Sequence, residues 1–457
     1  MFRRLLIANR GEVAARVART ARRLGVEVVA VASAADLDAA WLADVDVVVP
    51  LGPAPASRSY LDQDALIAVA RHTRATAVHP GWGFLAENEA FAARCEAAGI
   101  SFVGPSPRHM RSMGDKAEAR RTMTALGLSP IPGTEDAVAD EVEAAAEAER
   151  IGYPVLLKAV AGGGGRGMRA VSAPDALASA FREASAEALG AFGDGRMYLE
   201  RRISRGRHVE IQVIADVWGN VLVLGERECS LQRRHQKVVE EGPSPGLTAA
   251  ERARILPLVG DVIRRSGYVN AGTIEMLVDE RGTAWFMEMN TRLQVEHGVT
   301  ELLTGLDLVE LQLRVAAREP LPLRQDDVRV EGHAIECRIN AEDPADNFRP
   351  APGRVRRLVF PEGPGVRVDT HLRSGDRIPP NYDSMVAKLL VHGPDRPTAI
   401  ARMRDALDGT VVEGPRTNLA LHRRIMDWAP FVSGDYDTTT LEQGMQTLLA
   451  PEAAWPA

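Results

Sequence analysis

Lysine is nearly absent from this chain. Of 55 basic residues in 457, only Lys116, Lys158, Lys237 and Lys388 carry an ammonium. Arginine is the default cation, so a position that keeps lysine keeps a compact point charge that a planar guanidinium does not replace. Three of the four fall in polar motifs found on other grounds, which argues against a random remnant. Cysteine is as scarce: Cys95, Cys229 and Cys337 lie far apart with no Cys-x-x-Cys. That pattern reads as reduced core thiols in a cytoplasm, neither disulfides nor zinc ligands. Long apolar runs are missing too. None approaches the ~18–20 residues of a membrane span, and Met1-Phe2-Arg3-Arg4 leads straight into a short strand. Neither a signal peptide nor a membrane partner is expected. Positive charge is in deficit, with a net charge of −7, which argues against a nucleic-acid partner. Internal repeats and low-complexity tails are also lacking.

What remains is ordinary for a soluble enzyme, with 45% hydrophobic and 26% charged residues. The chain is too long for one compact core, so about two to four packed units are expected. The first hundred or so residues alternate strand and helix. Leu5-Leu6-Ile7-Ala8, Val26 to Ala32, and Ala75 to His79 read as strands. Val13, Val17, Ala21 and Leu24 line one helical face. The beginning is Rossmann-like, but the turn Asn9-Arg10-Gly11-Glu12 carries no Gly-x-Gly-x-x-Gly, so a dinucleotide site is not supported. His79-Pro80-Gly81-Trp82-Gly83 is a rigid turn, either a substrate wall or a tight connection. Gly104-Pro105-Ser106-Pro107 punctuates the chain at a domain boundary. Helical pattern follows from Lys116 to Leu126, and again from Asp136 to Arg150.

Lys158 lies on the strand Pro154 to Val160, which feeds Gly162-Gly163-Gly164-Gly165-Arg166-Gly167 and then Met168-Arg169-Ala170-Val171. A P-loop would place its lysine after the glycines and continue as a helix. Here the lysine precedes them and a strand follows, so the glycines cap a hairpin whose bare N–H groups can approach phosphate. Met197 to Glu200 is a strand ending in Arg201-Arg202-Ile203. In His208 to Ala215, His208, Glu210 and Gln212 share one face, and Val209, Ile211 and Val213 the other. Gln232-Arg233-Arg234-His235-Gln236-Lys237, followed by Glu240-Glu241-Gly242-Pro243, reads as a charged wall. Past Arg318 the chain turns β-rich, with Arg338 on the polar face of His333 to Ile339.

Glu288-Met289-Asn290-Thr291-Arg292-Leu293-Gln294-Val295-Glu296-His297 concentrates the chemistry. It follows the strand Ala284 to Met287, so its polar groups stand at a strand end and the loop beyond. Thr273 to Val278 is the partner strand. If Arg281-Gly282 is a two-residue turn, Glu275 faces Glu288 directly, with Cβ atoms about 5 Å apart. Two carboxylates so placed repel unless a divalent cation lies between them, and Mg²⁺ brought by a nucleotide's phosphates suits such oxygens. With the loop one residue out of register, both acids would simply be solvated.

Taken together, these motifs resemble the biotin carboxylase family, nearly end to end from Ile7-Ala8-Asn9-Arg10-Gly11-Glu12 to about residue 445. The most specific pieces are Gly162 to Met168, Gln232 to Glu241, Glu288 to His297 and Glu336 to Pro344. The resemblance implies an α/β and α+β fold in three parts. They are a Rossmann-like N-terminal domain over 1–113, an ATP-grasp domain over 114–330 with a mobile lid at about 131–204, and a β-rich C-terminal domain over 331–447. It implies Lys116, Lys158 and the backbone of Gly163, Gly164 and Gly165 at the ATP phosphates. Glu200 and Ile203 would lie at the adenine with Met168 and Leu277 packing on it, and His208, Gln232 and His235 at ribose and phosphates. Glu275, Glu288 and Asn290 would carry Mg²⁺, with Mn²⁺ as a substitute. Lys237, Arg292, Gln294 and the Val295 backbone would hold bicarbonate, Glu296 would be the base, and Arg338 would stabilise the biotin enolate.

The implied partners are a biotin carboxyl carrier protein, a carboxyltransferase subunit and a second copy of the chain. None of the four lysines sits in a Met-Lys-Met context and no carboxyltransferase region is recognised, so a stand-alone subunit is expected. Trp82, Gly298 and Arg201 stand where the family more often has Tyr, Pro and Lys. Gly298 is expected to loosen the loop that holds Glu296. Two other readings are an ATP-grasp ligase joining a carboxylate to an amine, and a silent scaffold subunit. The bicarbonate cluster and Arg338 argue against the first, and the intact Lys237, Glu288, Glu296 and Arg338 against the second.

Overall fold

A computed structural model describes residues 1–161 and 167–450. Strands β1 (Arg4–Ile7), β2 (Glu27–Ser33), β3 (Val47–Gly52), β4 (Ala77–His79) and β5 (Ser101–Phe102) form a parallel sheet in the order β3-β2-β1-β4-β5. Helix α1 (Gly11–Arg23) buries Val13, Val17 and Ala21 against it, while Leu24 caps the helix end and is only partly covered. The strand order reverses between β2 and β4, on either side of β1, where open α/β sheets leave a crevice. Here Asn9 fills part of it. Its Nδ2 donates to the carbonyls of Pro80 at 2.6 Å and Trp82 at 2.8 Å, pinning the turn after β4.

A smaller unit follows. Strands β6 (Val155–Ala159), β7 (Met168–Val171) and β8 (Met197–Arg201) pair in the order β7-β6-β8. Helices Glu141–Ile151 and Leu177–Phe192 cover the sheet and enclose a separate core around Ala144, Val155, Leu157, Ala184 and Leu199. The Ala/Glu-rich helix begins at Glu141 rather than at Asp136. The Asp140 carboxylate accepts from the N–H groups of Val142 and Glu143, so Asp140 is the cap and not an interior residue.

The third layer is an eight-stranded antiparallel sheet. Strands β9 (Arg207–Ala215), β10 (Val221–Arg233), β11 (Gln236–Gly242), β12 (Asn270–Val278), β13 (Ala284–Asn290) and β14 (His333–Asn340) run in the order β13-β12-β9-β10-β11-β14. Strands Met385–Gly393 and Val366–Thr370 complete it beside β14. The sheet crosses residue 330 without a break, because β11 pairs directly with β14. Strand β9 lies inside the sheet and both its faces are covered, so Glu210 and Gln212 are as buried as Ile211.

The β12–β13 hairpin departs from the expected turn in two ways that cancel. Its connection is longer than Arg281-Gly282: Asp279 N–H donates to the Thr283 carbonyl at 3.0 Å, and Gly282 takes φ 79°. Next to the turn, Met276 therefore faces Phe286. A bulge at Met287 then shifts the pairing by one residue, and Glu275 faces Glu288.

Candidate active site

Strands β11 to β14 and the β4 turn surround a cleft of about 610 Å³. His208, His235, Lys237, Glu275, Glu288, Asn290, Arg292, Gln294, Val295, Glu296 and Arg338 all line it. Trp82 and Gly83 form part of the opposite wall, so the rigid turn after β4 is a wall and not merely a connection. Tyr382, Asp383, Ser384 and Met385 close the rim.

Lys237 is the hub. Its Nζ donates to Glu296 Oε1 at 2.6 Å, Glu210 Oε2 at 2.7 Å and Glu275 Oε1 at 3.1 Å. Burial disfavours the ammonium, but these carboxylates outweigh it and raise the Lys237 pKa well above its ordinary value. Glu210, fully buried on β9, also accepts from Arg227 Nε at 2.6 Å. Arg227 donates onward to Gln212 and to Thr300 of the helix His297–Thr304.

Arg338 grips the other oxygen of Glu296, with Nη2 2.9 Å from Oε2. Burial works against ionisation of Glu296, yet Lys237, Arg338 and Arg227 hold its pKa well below the usual carboxylate range. Arg338 itself is fixed from two sides. Its Nε donates to Glu240 Oε1 at 2.6 Å, and its carbonyl accepts from Asn418 Nδ2 at 2.9 Å and lies 2.7 Å from His422 Nε2. Burial pushes the Glu240 pKa up to about 7 despite Arg338, and pulls His422 down to about 4.

Arg292 reaches across to the N-terminal unit. Its Nε donates to Glu87 Oε2 at 2.8 Å, and its Nη groups to Gln294 Oε1 and Asn290 Oδ1, both at 3.2 Å. Glu87 Oε1 accepts the Thr291 N–H at 3.1 Å, so one carboxylate sets both the loop and the guanidinium. Gln294 is buried with its Nε2 unpartnered, leaving a donor beside Val295 and Glu296.

Glu275 and Glu288 face each other across the hairpin. Burial opposes ionisation of Glu275, but Lys237 and His208 overcome it and lower its pKa. Glu288 goes the other way. Burial first, and then the charge of Glu275, raise it, while Lys116 and Lys158 offset only part. Its neighbours Glu275 and Asn290 offer carboxylate and amide oxygens, a donor set that suits Mg²⁺. Two other groupings with metal-ligand spacing, His208-Glu210-Glu275 and Glu210-Cys229-Glu296, already have Lys237 on their carboxylates.

Of the expected nucleotide residues, His208 and His235 line this cleft, whereas Lys116, Lys158, Met168, Glu200, Ile203, Gln232 and Leu277 do not. Lys158 on β6 faces Met168 on β7. Its Nζ donates to Glu200 Oε2 at 2.7 Å, and Arg120 holds the other oxygen. Lys116 opens the helix Lys116–Leu126, and Ile203 follows β8, half-buried. His208 Nε2 lies 3.2 Å from Glu275 Oε2, and its Nδ1 is 2.9 Å from Gln232 Nε2. Leu277 pairs opposite His208 on β12. Arg234 and His235 form the β10–β11 turn with φ 48° and 63°, a left-handed pair that ordinarily takes Asn-Gly. Gly163, Gly164 and Gly165 fall outside the described residues.

Sequence reasoning gave no role to Glu87, Arg227 or Glu210, and read Glu240 only as part of a charged wall. Their partners are distant along the chain and meet only through the sheet register. The one local signal was the density of acids on strands that proved to be buried on both faces.

The chain matches three family models: "Biotin carboxylase, N-terminal domain" over residues 1–110, "Carbamoyl-phosphate synthase L chain, ATP binding domain" over 115–324, and "Biotin carboxylase C-terminal domain" over 336–443. It is 48% identical over 442 residues to a biotin carboxylase of Nostoc sp., covering 97% of this chain and 99% of that protein. Two solved structures superpose closely. One is a Campylobacter jejuni biotin carboxylase in a β-γ-ATP complex, at TM-score 0.94 and 44% identity, covering 97% of this chain and 99% of that one. The other is the biotin carboxylase domain dimer of Hydrogenobacter thermophilus 2-oxoglutarate carboxylase with MgADP, ADP and bicarbonate, at TM-score 0.93 and 43% identity, covering 99% of this chain and 100% of that one.

Proposed function

The chain belongs to the biotin carboxylase family, and on that premise we propose that it carboxylates biotin on a separate carrier protein with ATP, Mg²⁺ and bicarbonate. This is the first half-reaction of an acyl-CoA carboxylase. The carrying observation is a buried carboxylate, Glu296, gripped by Lys237 and Arg338, with Lys237 also donating to Glu275, which faces Glu288.

Bicarbonate is a poor nucleophile until it loses its proton. Lys237, Arg292, Gln294 and the Val295 backbone hold it, and Glu296 removes that proton. With both oxygens occupied by cations, Glu296 is too acidic to act well. Bicarbonate arriving against Lys237 draws the ammonium away and lets the carboxylate regain basicity. A carbonate oxygen then bonds to the γ-phosphorus as the bridging P–O bond to ADP breaks, giving carboxyphosphate. Lys116 and Lys158 take up the charge that develops on the phosphates. Mg²⁺ at Glu275, Glu288 and Asn290 would neutralise the same phosphates. Carboxyphosphate splits its carbonyl C–O bond to CO₂ and phosphate. The phosphate takes the ureido N–H proton, and that nitrogen bonds to CO₂. Arg338 stabilises the enolate oxygen meanwhile.

Glu200 and Ile203 take the adenine with Met168 and Leu277, and His208, Gln232 and His235 the ribose and phosphates. Carboxyphosphate hydrolyses readily, so the unit built on β6 to β8 serves as a lid. Partners are the biotin carboxyl carrier protein, a carboxyltransferase and a second copy of the chain. Turnover with ¹⁸O-bicarbonate tests the route: one labelled oxygen is expected in the released phosphate. Unlabelled phosphate would sink carboxyphosphate as the intermediate.

A further inference from the structure

Lys388 is the one lysine with no part in the scheme above. It stands on the strand Met385–Gly393, between Arg338 of β14 and Asp369 of Val366–Thr370 in one cross-strand row. Directly opposed residues of an antiparallel sheet point to the same face, so Lys388 lies on the face that carries Arg338. Its side chain is completely buried. Nζ donates to the Val295 carbonyl at 2.8 Å, and lies 3.2 Å from Glu12 Oε1 and 3.7 Å from Asp369 Oδ2. Glu12 belongs to α1 of the N-terminal unit, so a single ammonium ties three parts of the chain together at the peptide that precedes Glu296.

A plain core ion pair would satisfy Glu12 and leave the loop alone. Here the best hydrogen bond goes elsewhere: the shortest contact is to a backbone carbonyl, and both Glu12 oxygens lack hydrogen bonds of good geometry. Arginine serves as the cation nearly everywhere else in this protein, yet this position keeps the compact, rotatable ammonium that fits a narrow space between a helix, a strand and a loop.

We propose that Lys388 is a positioning residue for Glu296. By holding the Val295 carbonyl it fixes the Val295–Glu296 peptide, and so aims the Glu296 carboxylate between Lys237 and Arg338. The same peptide follows the Val295 N–H assigned above to bicarbonate. The inference rests on Glu296 being the base. A base displaced by about an ångström costs roughly 10²-fold in rate while leaving remote binding intact.

The test uses the full chain with three variants. Lys388→Met removes the anchor but strands Glu12 in the core, so its loss could be a folding defect. Lys388→Met with Glu12→Gln neutralises both partners, and Glu12→Gln alone keeps the ammonium on Val295. The double variant is expected to fold, to bind ATP with KM within about threefold of wild type, and to lose about 10–100-fold in kcat for biotin carboxylation. Glu12→Gln alone is expected to keep kcat within about twofold. A double variant with wild-type kcat would overturn the proposal, and so would one that cannot fold, since the pair would then be obligatory core. An inactive wild-type chain would instead mark failure of the functional reading itself.

Discussion

Replacing Lys237 with methionine removes one ammonium and leaves three carboxylates facing each other. Glu296, Glu210 and Glu275 lie 2.6, 2.7 and 3.1 Å from that nitrogen, and none of the three is more than 7% exposed. Removing one member of a buried ion pair costs about 3–5 kcal/mol, because the partner is left charged without water or counterion. The loss should carry a pH signature. In the folded wild type, the pKa values of Glu275 and Glu296 are depressed, with Lys237 the foremost cation in both cases. A depressed carboxylate contributes stability above its unfolded value of about 4.3, and the contribution fades as pH falls through the folded value. The variant lacks it. Urea denaturation of both proteins between pH 8 and pH 4 should therefore show the widest gap at neutral and alkaline pH, narrowing as the stranded carboxylates protonate. Carboxylation should fall at least about 10²-fold at every pH, since the charge proposed to hold the reacting anion is gone. A gap that does not change with pH, or a variant as stable as wild type, would refute the account of Lys237 as the compensating charge.

Two further outcomes follow from other clusters. Glu241 accepts from Arg396 Nε at 2.7 Å and from the Tyr436 hydroxyl, lies 2.6 Å from His333 Nε2, and is held at a pKa of about 2 against burial. Glu241→Gln should cost about 3 kcal/mol above pH ~5, and the difference from wild type should vanish as pH approaches 2 in equilibrium unfolding. Mg²⁺ should raise the thermal midpoint of the ADP-bound protein by an amount equivalent to about 2.7 kcal/mol at 100-fold excess over its Kd. Glu288→Gln should abolish that increment. Because Glu288 sits above the ordinary carboxylate range, protons compete with the cation, and the wild-type increment should weaken on acidification.

Much of this site could be read before any fold was known, because its chemistry is clustered in short stretches. The ten residues from Glu288 to His297 bring a strand end, the Arg292 guanidinium and the Glu296 carboxylate to the cleft. Other parts were legible only in outline. Glu275 was expected opposite Glu288 from a two-residue turn; the longer loop and the bulge at Met287 reach the same pairing by compensating shifts that no local pattern announces. The partners of the reactive groups were the least legible. Glu87 meets Arg292 from 205 positions away, and Glu240 meets Arg338 from 98, because register and topology set those contacts. Strand β3 escaped notice since Val47 and Val49 are only half-buried at a sheet edge. Gly298, expected to loosen the loop, sits where a Cβ would come within 2.5 Å of Leu390 Cδ2, so the glycine makes room for a core side chain beside Lys388. Arg201 pairs with Asp279 at 3.5 Å and lies over the Trp285 ring, while its backbone N–H donates to the Pro132 carbonyl.

The most direct measurement is ADP release by the purified chain with Mg²⁺, with and without bicarbonate and free biotin, beside Glu296→Ala. Turnover is expected to require bicarbonate, to rise with biotin, and to fall by about 10²–10⁴-fold in the variant. Turnover indifferent to biotin, or unaffected by loss of the Glu296 carboxylate, would contradict the proposed function.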